Sequence, residues 1–101
     1  MSFFEKAKTD AINGDPEAQC YIGTCYAEGA GVGKDLSQAV YWFAKSAEQG
    51  FAKGQLFLSK CYFTGQGVSA NPQTGLDWLQ KAVAQGDEEA KEVMQAIMEM
   101  Q

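Results

Sequence analysis

Few side chains in this sequence could do chemistry, and their spacing argues against most of it. The stretch Gly29-Ala30-Gly31-Val32-Gly33-Lys34 invites a phosphate-loop reading. That loop needs a glycine where Glu28 stands and a Ser or Thr where Asp35 stands, and it follows a strand rather than a helical pattern. The Gly-x-Gly pairs also lack the third glycine of a dinucleotide fingerprint, so turn glycines supplying positive φ are the better reading. Cys20, Cys25 and Cys61 have no histidine to work with, because the chain contains none. Cys/His catalysis and mixed Cys/His zinc sites are thereby excluded. Cys20 and Cys25 fall on one predicted helix and point different ways. Cys25 and Cys61 are expected about 10 Å apart, at the spacing of packed helices, beyond disulfide reach. All three are read as small buried thiols. Glu88, Glu89 and Glu92 read as a solvated face suited to a helix N-terminus rather than a metal site. Trp42 and Trp78 could stack a ligand, yet they sit on the apolar side of a helix and are assigned to packing, as are Tyr26 and Tyr62. With no nucleophile–base pair, the chain is read as non-enzymatic, without catalytic residue, cofactor or metal.

Composition narrows the partners. At 101 residues the chain has the size of one domain with a small core. Lys plus Arg number 8 against 13 Asp plus Glu, for a net charge of −5, and every positive charge is a lysine. Nucleic acid calls for a basic face and usually for bidentate arginines, so it is not an expected partner. Anionic lipid is disfavoured by the same balance. No apolar run approaches the roughly 20 residues of a membrane helix. The lysines and carboxylate among the first residues do not suit a secretory signal, so the expected location is cytoplasmic.

The elements that must position any site come from internal repetition. Asp15–Gly50 recurs as Phe51–Gly86 at a spacing of 36: Tyr26 as Tyr62, Trp42 as Trp78, Lys45 as Lys81 and Gln49 as Gln85. Such a period marks a stacked repeat array. Six helices are expected. Ser2 caps the first, with Glu5 in the capping-box position, and Phe3, Phe4, Ala7 and Ala11 form its stripe. Asp15-Pro16 starts the second, which buries Ala18, Tyr21, Ile22, Cys25 and Tyr26. Asp35, with Gln38, caps the third, whose stripe is Leu36, Ala39, Val40, Phe43 and Ala47. The fourth covers roughly Ala52–Thr64 with Leu58, Cys61 and Tyr62 inside. Asn71-Pro72 opens the fifth around Leu76, Leu79 and Val83. Asp87 caps a sixth carrying Ala90, Val93, Met94, Ile97 and Met98. The reading is all-α: an α/α superhelix (solenoid) of antiparallel helix pairs, right-handed. Residues 1–14 form an N-terminal capping helix, 15–50 and 51–86 two full repeats, and 87–101 a C-terminal capping helix. Tyr26, Tyr62, Phe43, Leu79 and both tryptophans are expected to be substantially buried.

These residues resemble the Sel-1-like repeats, relatives of tetratricopeptide repeats. The pattern is carried by Ala18, Ile22-Gly23, Tyr26, Gly29, Gly31-Val32, Asp35, Ala39, Trp42-Phe43, Lys45, Ala47 and Gln49-Gly50. It returns in Leu58-Ser59, Tyr62, Gly65, Gly67-Val68, Asn71, Trp78-Leu79, Lys81-Ala82 and Gln85-Gly86. The resemblance implies an adaptor or scaffold for other proteins. Gly54 and Gly75 replace Ala18 and Ala39 and are expected to loosen the second repeat. Gln95, standing where Gly23 and Ser59 stand, is expected to end the stack. A cysteine-rich subset of the family bridges the two helices of each repeat. Cys20 matches its first half-cystine, but Ala47 stands at the partner position, which weakens any likeness to the penicillin binding suggested for that subset.

In tetratricopeptide-like stacks the non-core face of each first helix lines the concave groove. The transferred positions are Glu17, Cys20, Thr24, Ala27 and Glu28; then Lys53, Leu56, Lys60, Phe63 and Thr64; then Glu89, Glu92, Ala96, Glu99 and Met100. The groove is therefore expected to be striped acidic, basic-apolar, acidic, with Leu56 and Phe63 as anchors and Lys53 and Lys60 as orienters of a partner. The leading function is a non-catalytic module binding a protein or peptide through this groove, as a monomer or weak homodimer. The alternatives are an inhibitor or immunity-type protein neutralising a basic enzyme, a binder of a small molecule or cell-wall ligand, and a self-assembling repeat protein.

Overall fold

Helix caps set the boundaries of the chain. In a computed structural model, which describes residues 2–101, six helices follow one another: α1 (Phe3–Ile12), α2 (Pro16–Glu28), α3 (Leu36–Glu48), α4 (Ala52–Thr64), α5 (Pro72–Ala84) and α6 (Glu88–Glu99). Met1, the first residue of the expected capping segment, lies outside the described residues. Ser2, Asp15, Asp35, Asn71 and Asp87 each accept from backbone N–H groups of the first turn, removing donors that a helix start leaves unpaired. At α1 the Ser2 hydroxyl also donates to the Glu5 carboxylate. Only α4 starts without a side-chain cap, at Phe51. Gly29 and Gly65 end α2 and α4 in the left-handed region, at φ 73° and 74°, where a side chain would be strained. Each hairpin is then closed by the next cap: the Asp35 N–H donates to the Tyr26 carbonyl, and the Asn71 N–H to that of Tyr62.

The result is an α/α solenoid. Two antiparallel hairpins, α2–α3 and α4–α5, stack between α1 and α6, in an elongated body of 48 × 24 × 17 Å. Among the described residues there is no strand. One core lies around Ile22, Tyr26, Trp42, Phe43 and Leu58, a second around Leu56, Leu79, Ala82 and Ala90. The three cysteines are buried free thiols. Burial pushes the Cys20 thiol up to about 12 and raises that of Cys61.

Close approach depends on small residues. A Cβ on Gly23 would stand 2.5 Å from the Phe43 ring. A Cβ on Gly54 would run into the Ser46 side chain and stand 3.0 Å from the Ala47 nitrogen. Gly54 therefore tightens the junction of α3 and α4; the expectation that it loosens the repeat is corrected by that contact. Gly75 is less tightly confined, with the Ser59 carbonyl 3.1 Å and the Phe63 ring 3.2 Å from such a Cβ. Other corrections concern burial. Tyr21, expected on the buried face, is 41% exposed and packs edge-to-face on Phe3. Tyr62 and Trp78 are half-buried, unlike Tyr26 and Trp42.

A polar clamp recurs with the repeat. Gln19, buried, donates to the Ala11 carbonyl at 3.0 Å. Gln49 donates to the Gly14 carbonyl and to Gln19 Oε1, both at 2.8 Å. One repeat on, Gln55 and Gln85 make the same bonds to Ala47, Gly50 and each other. Each clamp ties a buried amide to the turn before it, so two layers are held in register.

Candidate protein-binding face

The first helices of the repeats, α2 and α4, lie side by side, and a cleft of about 240 Å3 opens between them. Leu36, Ala39 and Phe43 of α3 and Phe57 and Cys61 of α4 supply apolar walls. Thr24, Ala27 and Glu28 come from α2, Lys60 from α4, and Gln66 from the following turn. Local structure explains the opening. Ala27 faces the cleft where the next repeat has Phe63, whose ring fills the corresponding space against Gly75.

The transferred groove residues do not share one site. Thr24, Ala27, Glu28 and Lys60 do come together at this cleft. Glu17 lines a neighbouring depression between α1 and α2 with Phe3, Ala7, Asp10, Asp15 and Tyr21. Leu56, expected as an exposed anchor, is fully buried against Leu79, Ala82 and Ala90, and Cys20 at the same repeat position is also buried. That expectation is corrected: the residue that lines the cleft is the next one, Phe57. Phe63 is half-buried and packs into the second core rather than the cleft. Thr64 is exposed at the end of α4, its hydroxyl donating to the Lys60 carbonyl at 2.8 Å. Glu92, Ala96 and Glu99 are exposed along α6, and Met100 just after it. Phe57 had a signal in the sequence, since Tyr21 and Phe57 place an aromatic at one repeat position.

The lysines are not free to orient a partner. Lys60 Nζ lies 2.6 Å from Glu89 Oε2 and 5.6 Å from the Phe57 ring centroid. Lys53 Nζ lies 3.0 Å from Asp87 and 3.4 Å from Glu89. The expected basic stripe is thus neutralised by its acidic neighbour within the chain. Lys60, hydrogen-bonded to it, holds the Glu89 carboxyl below its usual range. Burial alone would raise Asp87, but the Ala90 N–H and Lys53 outweigh it and hold that carboxyl low as well. Among the described residues, Glu17, Glu28, Glu92 and Glu99 have no ion-pair partner. Among the same residues no group of carboxylates and thiols could hold a metal ion, and no helix is long and apolar enough to cross a membrane.

Comparison with known proteins gives the fold its relatives. The chain is similar to a Sel1 repeat protein from Oxalobacter formigenes, at 37% identity and a TM-score of 0.86, over 89% of this chain and 68% of that one. It is equally similar, at 37% identity and a TM-score of 0.84, to c5321, a protective antigen of uropathogenic Escherichia coli displaying an SLR fold. There 86% of this chain is covered but only 19% of the other. Cysteine-rich protein B of Helicobacter pylori shares the fold at 24% identity and a TM-score of 0.84, over 89% and 68% of the two chains. No curated protein sequence matches. The Sel1 repeat model matches residues 16–51 and 52–87, which span the two hairpins, and the chain therefore belongs to the Sel1 repeat family, whose members are generally protein-interaction modules.

Proposed function

We propose that this chain is a non-catalytic protein-binding module, an adaptor or scaffold that takes a segment of a partner protein on its concave face. The observation that carries the reading is the apolar cleft between α2 and α4, ringed by Thr24, Glu28 and Lys60. At about 240 Å3 it falls below the roughly 300–1,000 Å3 of pockets that enclose a whole small molecule. It suits an inserted side chain instead. Phe57 is the anchor contact, in place of Leu56. The cytoplasm is the proposed location, and the three unpaired thiols favour a reducing compartment.

Site-resolved photocrosslinking tests the reading. A photoreactive side chain at Thr24 or Gln66, beside the cleft, should yield a partner adduct in extract of the native source. The same group at Tyr41 or Glu48, on the outer face of α3, should not. Adducts only from the outer positions would sink the proposal.

A further inference from the structure

The charge left over on the concave face specifies more than a groove. Its two lysines are spent on Asp87 and Glu89, at 3.0 and 2.6 Å. Glu28, at the rim of the cleft, is exposed and has no ion-pair partner among the described residues. The depression between α1 and α2 is walled by Phe3 and Tyr21, rings edge-to-face at 5.3 Å, with Glu17 beside them. Asp15 there is engaged as the α2 cap, and Asp10 makes only a 3.9 Å exposed contact with Lys6. Glu17 is thus the carboxylate of that depression with neither an ion pair nor a capping bond among the described residues. Among the described residues, an acidic segment entering this face would meet Glu17 and Glu28 without an ion-pair partner, and two lysines already paired with Asp87 and Glu89. A cationic one would meet carboxylates and an exposed tyrosine ring, the setting for a cation–π contact.

The two depressions are in register. Phe3, Ala7 and Tyr21 stand at the repeat positions of Ala39, Phe43 and Phe57, so the same part of the repeat lines both. Neighbouring layers of packed helices are separated by about 10 Å, and an extended peptide in the polyproline II form rises about 3.1 Å per residue with three residues per turn. Side chains about three residues apart then project from one face of the peptide and reach both depressions.

We infer that the partner segment is an extended, polyproline II-like, cationic, apolar stretch: one apolar side chain seated in the α2–α4 cleft near Glu28, and a lysine or arginine about three residues away, against Glu17 and Tyr21. This rests on the concave-face reading and names the chemistry of its occupant. The apolar side chain supplies the anchor, and the cation sets direction and register, since charge complementarity governs encounter and specificity more than bulk affinity.

Synthetic fluorescent peptides carrying a leucine and one charged residue at varied separation test it, by anisotropy at low and high salt with amide NMR of the protein. Leucine–lysine peptides with the separation near three should bind tightest, about tenfold tighter than their leucine–glutamate counterparts at low salt, and the gap should narrow with added salt. Glu17→Lys should abolish the preference for lysine while leaving leucine required. Leucine–glutamate peptides that bind as well, with shifts at Thr24, Phe57 and Lys60, would overturn the charge inference and leave the cleft reading standing. Alanine–lysine peptides binding as well as leucine–lysine ones would overturn the anchor. If no peptide of any set shifts cleft residues, the cleft reading fails and takes this inference with it.

Discussion

Gln55 is the residue whose loss should be felt furthest from its own position. Its Nε2 donates to the Ala47 carbonyl at 3.3 Å, and its Oε1 accepts from Gln85 Nε2 at 2.9 Å. Gln85 Nε2 also donates to the Gly50 carbonyl at 2.8 Å. The amide is 5% exposed, so water does not easily replace these bonds. Gln55→Leu removes both and leaves no orphan acceptor at Ala47, whose carbonyl still receives the Gly50 N–H. At about 1 kcal/mol net per hydrogen bond, the expected destabilisation is roughly 1–2 kcal/mol. Gln85→Ala, at an exposed position, should cost about 1 kcal/mol. Because the Gln55–Gln85 bond is common to both, the double variant should lose less than the two costs together, with a coupling of roughly 0.5–1 kcal/mol. Urea unfolding followed by far-ultraviolet circular dichroism gives all four free energies. The pair Gln19 and Gln49, bonded in the same way, should give a coupling of the same sign. Additive costs in both pairs would refute the clamp as a holding element.

Other consequences follow from single contacts. Phe43→Ala, at a ring buried beside Gly23, should cost roughly 3–5 kcal/mol, as buried Phe truncations do, measured by the same unfolding. Gly54→Ala should lower the melting temperature despite alanine's helix preference of about 1 kcal/mol, because its methyl meets Ser46. Glu89 and Asp87 have carboxyls held below their usual range, so the unfolded chain binds more protons in acid. The stability they confer is present above the ordinary carboxylate range and is lost as pH falls through their lowered values. Lys60→Met should flatten that acid limb of the stability–pH profile. Thiol titration should find all three cysteines in denaturant without reductant and little reaction in the native state, since each is buried.

The helix boundaries were legible because caps are local: an Asp or Asn before a periodic stretch and a glycine after it can be read without knowing the fold. The groove was legible only as to which helices line it. Adjacent helix positions differ in direction by about 100°, so a transfer wrong by one residue put Leu56 where Phe57 stands. The charge pattern failed for another reason. Lys53 and Lys60 read as a basic stripe along one helix, but the side chains of neighbouring layers reach one another, and Asp87 and Glu89 pair with them. Gln19 and Gln55 recur at the repeat spacing, but that spacing does not disclose their role, because their carbonyl partners are defined only by the stack. Helix propensity alone makes Gly54 a weak point, whereas its contact with Ser46 decides its role.

The central claim is that partners dock on the concave face at the α2–α4 cleft. Once a partner has been captured by crosslinking, amide chemical-shift mapping of the labelled chain with that partner tests it most directly. The account predicts that the largest shifts fall on Thr24, Ala27, Phe57 and Lys60, and that Phe57→Ala, still folded, weakens binding by more than about 1 kcal/mol. Shifts confined to Tyr41, Lys45 and Glu48 on the outer face of α3, with Phe57→Ala binding like the parent, would contradict it.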